Sequence, residues 1–163
     1  MTFPSGKIIM VNWILHLINL KSNVNIRPYL LESIQRLRQK CEVIIFTSSH
    51  YTYADIIINY LDPKRELFDK RLYRSSCVLS HEELYLKDLR IFQNCRNLKN
   101  LILIDNAAYS FGFQLDNGIP IIPFYENKLD TELRDVTDFI LEKLVDVDDV
   151  RPVLRKELCL RRI

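Results

Sequence analysis

Short apolar runs alternate along the chain with stretches whose apolar residues recur at helical spacing. Ile8–Val11, after a turn at Phe3–Lys7, reads as a short strand. Glu42–Phe46 is rich in β-branched residues and predicts a second. Leu101–Ile104, bounded by Lys99-Asn100 and Asp105-Asn106, predicts a strand buried on both faces, the mark of a parallel sheet. Phe68–Cys77 alternates enough for a short strand with Lys70, Arg71 and Arg74 around it, and the prolines of Ile119–Phe124 suit an edge strand.

Helices are predicted between these strands. Pro28 introduces one, with Leu30, Leu31, Ile34 and Leu37 on its apolar side through Lys40. Tyr51–Leu61 carries Tyr53, Ile56, Ile57 and Tyr60, and Asp62-Pro63 stops it. Asp130–Leu144 is a closing amphipathic helix with Leu133, Val136, Ile140, Leu141 and Leu144 apolar. This alternation predicts an α/β fold: a three-layer, Rossmann-like domain with a mainly parallel sheet.

Two regions resist the pattern. In Asn12–Ser22 the apolar residues Trp13, Ile14, Leu15, Leu17, Ile18 and Leu20 would surround a helix almost completely. Ile8–Leu20 is too short to span a bilayer and is interrupted by Asn12, His16 and Asn19, and the start lacks the basic flank and cleavage site of a signal peptide. The chain therefore reads as soluble, an interfacial segment being the alternative. From Val145 onward, Asp146, Asp148 and Asp149 precede Arg151, Arg155, Lys156, Arg161 and Arg162, which reads as a solvated charged tail, residues 146–163.

Composition narrows the function classes. At 163 residues and 48% apolar content the chain suits one domain with a real core. Its 23 basic and 21 acidic residues leave +2, so no global field points to nucleic acid or an anionic membrane. Cys41, Cys77, Cys95 and Cys159 lack the paired spacing of zinc or redox motifs and read as free thiols in a reducing compartment.

Chemistry concentrates at strand ends. Asp105 and Asn106 close a buried strand where open α/β sheets bind ligands, and their oxygens suit a hard cation or its phosphate; alternatively they only begin a turn. Thr47-Ser48-Ser49 follows the Glu42–Phe46 strand, where hydroxyls cap a helix, bind phosphate, or do both. The basic residues near them suit a phosphorylated substrate or are a solvated basic edge.

Taken in order, Ile26-Arg27-Pro28, Val43–Ser49, Tyr53–Asp55, Tyr60–Pro63, Arg71–Cys77, Tyr85–Leu89, Leu103–Asn106, Asn117–Pro120 and Asp130–Leu133 resemble the haloacid-dehalogenase-like phosphatases of the small C-terminal-domain type, which act on phosphoserine in the RNA polymerase II tail and similar substrates. The resemblance covers the region 25–145 as a phosphatase-homology domain and leaves 1–24 as a divergent N-terminal segment. It implies that Thr47 binds the transferred phosphoryl group and that Lys87 neutralises phosphate and nucleophile. It further implies that Asn106, with Asp105 beside it, is on the Mg2+ side, and that Ser48, Tyr53 and Arg74 line the substrate cleft. It implies a phosphoserine or phosphothreonine protein as substrate, no direct nucleic acid binding, no membrane span, and a nuclear or cytoplasmic setting. These roles fit phosphoryl transfer, which is mostly positioning and charge neutralisation.

One departure is large. The family places an Asp-x-Asp-x-Thr motif at the end of the central strand, the first aspartate attacking phosphorus and the second acting as general acid and base. Here the first acidic residue is Glu32, and no aspartate precedes Asp55. Either Ile8–Leu20 partly fills the place of that strand, or Phe3–Lys7 belongs just before the Arg27-Pro28 helix and Val11–Ser22 is an insertion. The second alternative is preferred: an N-terminally incomplete member, missing its central first strand, catalytically dead and with an incomplete Mg2+ site unless the motif is encoded upstream. A non-catalytic phosphoprotein-binding module is the main alternative. A presequence-binding domain like the mitochondrial inner-membrane translocase receptor, which resembles this fold, is a third.

Overall fold

The structure is a computed structural model that describes residues 6–12, 18–19 and 23–160. Its strands are β1 (Ile8–Val11), β2 (Ile18–Asn19), β3 (Asn23–Val24), β4 (Glu42–Phe46), β5 (Lys70–Leu72), β6 (Val78–Leu79), β7 (Tyr85–Leu86), β8 (Leu101–Asp105) and β9 (Gly118–Pro120). Its α-helices are α1 (Leu30–Arg38), α2 (Tyr51–Leu61), α3 (Glu132–Lys143) and α4 (Val150–Leu158). Five strands form one sheet in the order β5-β4-β1-β8-β9, every neighbouring pair parallel. The pairs β2-β3 and β6-β7 are separate two-residue antiparallel ladders.

The sheet alternates cleanly between faces, as strand geometry requires. Ile9, Val11, Val43, Ile45, Ile102 and Ile104 join one core with buried residues of all four helices. Ile8, Met10, Ile44, Phe46, Leu101 and Leu103 join the other with Leu89, Phe92 and Phe111, which short 3-10 turns at Leu89–Phe92 and Ala108–Phe111 carry. The third layer is thus built from turns, and the domain is α/β with a mainly parallel sheet.

Helix α1 shows how sequence sets this packing. Leu30, Ser33, Ile34 and Leu37 are its buried residues, the i, i+3, i+4, i+7 stripe of an amphipathic helix. Each large apolar side chain so buried contributes about 1.5–3 kcal/mol. The helix start is pinned by Arg27, 1% exposed, whose Nε and Nη2 donate to both Asp130 oxygens at 2.7 and 2.8 Å and whose Nη1 donates to the Ile122 carbonyl at 2.8 Å.

The centre of the sheet corrects the preferred alternative above: the first strand is not missing. Ile8–Val11 occupies it, pairing Ile8 with Glu42 and Leu101, and Val11 with Ile45 and Ile104. All four of its residues are at most 2% exposed. The physical reason is that β4 and β8 each present an inner edge whose backbone groups must find partners, and an apolar strand buried on both faces supplies them. Lys7 fixes the entry to this strand, its buried ammonium donating to Asn100 Oδ1 at 2.8 Å and to the Val147 carbonyl at 2.6 Å. Burial pulls the Lys7 pKa down.

The solvated-tail reading of 146–163 is also corrected. Asp149 caps α4 by accepting from the Arg151 N–H, and Val150 and Leu154 enter the helix-side core at 0% and 1% exposure. Two apolar residues four apart turn a charged segment into a packed helix. The expected Phe68–Cys77 strand shortens to β5, followed by a 3-10 turn at Arg74–Ser76. Strand β9 does lie at the edge. In the ambiguous Asn12–Ser22 block, Trp13–Leu17 and Leu20–Ser22 lie outside the described residues. No helix among the described residues is long and apolar enough to cross a membrane.

Candidate functional site

Three neighbouring parallel strands end side by side, and each carries a polar residue past its last apolar one. β1 ends in Asn12, β4 in Thr47, and β8 in Asp105 followed by Asn106. This is the carboxyl edge of an open sheet, at the point where chain connections leave β1 in both directions. Asp105 is 0% exposed and Lys87, which follows β7, is 0% exposed and paired with it through Nζ and Oδ2. Lys87 reaches the edge because its backbone N–H is held by the Ser110 carbonyl at 2.8 Å, and its ammonium lies 6.0 Å from the Phe46 ring centre. The other Asp105 oxygen accepts from the Ala107 N–H at 2.9 Å and from Asn12 Nδ2 at 3.3 Å.

Thr47 is 1% exposed; its N–H donates to the Leu72 carbonyl, and its hydroxyl accepts from the Ser49 N–H at 3.0 Å. The cap of α2 is His50, with no side-chain cap, so helix capping is not the work of the hydroxyl run. Arg74 Nε donates to the Ser48 carbonyl at 2.7 Å, and its guanidinium stacks 5.0 Å from the Tyr85 ring centre. Arg74 and Ser48 thereby form one rim beside Thr47. Tyr53 stands apart from them: it packs its half-buried ring against the helix-side core from the first turn of α2.

Sequence reasoning missed two residues here. Asn12 carried no signal beyond following a strand. Cys77 donates from Sγ to the Thr47 carbonyl at 3.7 Å, and burial pushes its thiol pKa up, with Lys87 pulling it down more weakly. Alternation and chain order would not have found either.

The site and fold can be set beside known proteins. The family model for NLI interacting factor-like phosphatases matches residues 5–151. The chain belongs to the NLI interacting factor-like phosphatase family. Within it, the chain is 43% identical over 137 residues to CTD small phosphatase-like protein 2 of Dictyostelium discoideum, covering 84% of this chain and 23% of that protein. It is 40% identical over 130 residues to human carboxy-terminal domain RNA polymerase II polypeptide A small phosphatase 1, covering 80% of this chain and 48% of that one. The chain thus spans less than half the length of either relative. A structure of the fission yeast RNA polymerase II CTD phosphatase Fcp1 bound to beryllium fluoride superposes with a TM-score of 0.56 at 17% identity, over 96% of this chain and 55% of that one, a likeness of fold.

Mg2+ is the cation this family uses, and the donors present here fit it poorly. Asp105 is the only carboxylate in the cluster among the described residues, and each of its oxygens already has a partner. Among the described residues no group of three or more His, Cys, Asp or Glu could hold a metal ion. At the tip of β8, Asn106 Oδ1 is shielded and, among the described residues, without a hydrogen-bond partner.

Proposed function

We propose that this family member holds phosphoserine- or phosphothreonine-bearing protein segments at the carboxyl edge of its sheet without hydrolysing them. The observation that carries the reading is Asn12. It stands at the tip of the central strand, where the family resemblance places the attacking aspartate, and it turns its amide toward Asp105 as a donor. A carboxamide nitrogen has its lone pair delocalised and cannot form the acyl-phosphate that splits the reaction into two easier steps. Two residues on, where the general acid and base is expected, the sequence has Ile14.

The groups that the resemblance implies for phosphate are all present: Thr47 at the tip of β4, buried Lys87, and Arg74 on the rim with Ser48. Charge-assisted donors of this kind bind phosphate oxygens whether or not a bond is broken. The human relative's name supplies the substrate class, a phosphorylated carboxy-terminal tail of RNA polymerase II, and a nuclear or cytoplasmic setting suits such a partner.

The test is a pair of measurements on the whole chain. A labelled phosphoserine peptide is expected to bind, its unphosphorylated form to bind at least about tenfold more weakly, and Arg74→Ala to erase most of the difference. Hydrolysis of p-nitrophenyl phosphate with Mg2+ is expected to stay at the uncatalysed rate. Turnover that Lys87→Ala abolishes would show that a nucleophile exists and overturn the reading.

A further inference from the structure

From the charge balance of the strand tips we infer that this chain excludes the divalent cation of its family, and that its phosphate binding is metal-independent. The buried cluster contains one carboxylate, Asp105, and one ammonium, Lys87, so its formal charges cancel. The two aspartates of the family motif would add two negative charges, enough to balance a divalent ion. Asn12 and Ile14 add none.

No other segment of these 163 residues brings a free carboxylate to the cluster. The residues outside the described ones, 1–5, 13–17, 20–22 and 161–163, contain no aspartate or glutamate. Asp88, next to Lys87 in sequence, is committed elsewhere: it holds the Arg90 guanidinium and accepts from Gln114 Nε2 at 2.9 Å. A cation entering beside Asp105 would have to displace the ammonium of Lys87, the Ala107 N–H or the Asn12 amide. It would face the Lys87 charge at close range, between side chains that are both shielded from solvent.

Asn106 Oδ1 is a candidate ligand without a partner, and like the other side-chain oxygens at the strand tips besides Asp105 it is neutral. A single neutral oxygen does not strip the tightly held water shell of Mg2+, which is usually bound through one or two carboxylates. That open acceptor suits a donor instead, such as the protonated oxygen of a phosphomonoester. The amide of Asn12 donates to the Asp105 oxygen that faces the central strand and helps to orient it without adding charge.

The inference rests on the proposed function only in its second half, and the experiment separates the two. The whole chain is titrated with Mg2+ and with Mn2+ while the amide resonances of Asp105, Asn106 and Ala107 are followed, and melting is recorded with millimolar Mg2+ and with EDTA. No saturable shift and no change in melting temperature are expected. Phosphopeptide affinity is expected to agree within about twofold in the two buffers. Asn12→Asp is expected to introduce saturable Mg2+ binding and Mg2+-dependent stabilisation, because it places a second carboxylate beside Asp105. Saturable shifts in the unaltered chain would overturn the inference and leave phosphopeptide binding standing. A peptide that binds in neither buffer would remove the proposed function and leave metal exclusion standing. If Asn12→Asp does not fold, the titration of the unaltered chain still decides.

Discussion

The pairing of Lys87 with Asp105 can be tested by removing each partner and then both. Both side chains are 0% exposed, so solvent cannot screen whichever charge is left behind. Lys87→Met strands a buried carboxylate, and breaking a buried pair in this way costs about 3–5 kcal/mol. Asp105→Asn keeps an oxygen for the Ala107 N–H and the Asn12 amide, but it turns an amide N–H toward the ammonium, donor against donor, at a similar cost of about 3–5 kcal/mol. With Lys87→Met and Asp105→Asn together no charge remains, and the residual cost is one unsatisfied amide N–H and some lost packing, about 1–3 kcal/mol. The double variant is therefore expected to be more stable than either single one, with a coupling of at least about 3 kcal/mol. In a chain of 163 residues about 1 kcal/mol corresponds to roughly 2–4 °C, so each single variant should melt some 6–20 °C below the parent. Urea denaturation of the four proteins measures the cycle. Additivity within about 0.5 kcal/mol would mean that the two groups do not depend on each other, and the buried pairing would be wrong.

Three further outcomes follow from other parts of the molecule. Gly118 has φ −88°, which any residue adopts, but a Cβ there would lie 2.5 Å from two atoms of the Phe111 ring. Gly118→Ala should cost about 1–3 kcal/mol through overpacking, and Phe111→Leu in the same chain should recover part of it; an unchanged urea midpoint for Gly118→Ala would refute the contact. Arg27→Lys keeps the charge but loses the fork on Asp130 and the bond to Ile122, so a loss of about 2 kcal/mol is expected, and a neutral result would show that shape is unimportant there. Hydrogen bonds from Arg90 hold the Asp88 carboxyl below its ordinary value of 3.8. The unfolded chain therefore takes up that proton first. The contribution is complete above the unfolded value and is lost as the pH falls through the folded one, and it is small because Arg90 is exposed to screening. Asp88→Asn should flatten the acid limb of stability against pH, and parallel limbs would contradict it.

Much of the fold was legible because the determinants are local. Val43–Phe46 and Leu101–Ile104 are continuous apolar runs, which only a strand covered on both faces accommodates. Helices α1 and α2 announce themselves by Pro28, by apolar spacing, and by Asp62-Pro63. What stayed hidden depends on partners distant in sequence. Nothing near Arg27 indicates that its fork closes on Asp130, 103 residues away. Helix α4 carries only two buried residues among arginines and a lysine, so its pattern reads as a charged tail until the core beneath it is seen. Even so, Asp149 was a readable cap signal.

Asn12 lies between these cases, and its role follows from competition for a place in the sheet. Asp105, Asn106 and the hydroxyls from Thr47 onward could be picked out because they follow recognisable strands, and Lys87 only through the family resemblance. The residue at the tip of the central strand depends on which segment wins that strand. Ile8–Val11 wins it by satisfying both β4 and β8 along its whole length, and the polar residue that comes next in sequence is thereby placed against Asp105. A different strand bearing Asp-x-Asp could take that position only by breaking both ladders and exposing four fully apolar residues to water, at about 1.5–3 kcal/mol for each large side chain before the backbone bonds are counted. The same pairing that completes the sheet therefore puts an amide against one Asp105 oxygen, with Lys87 on the other, and the proposed loss of the nucleophile rests on that placement.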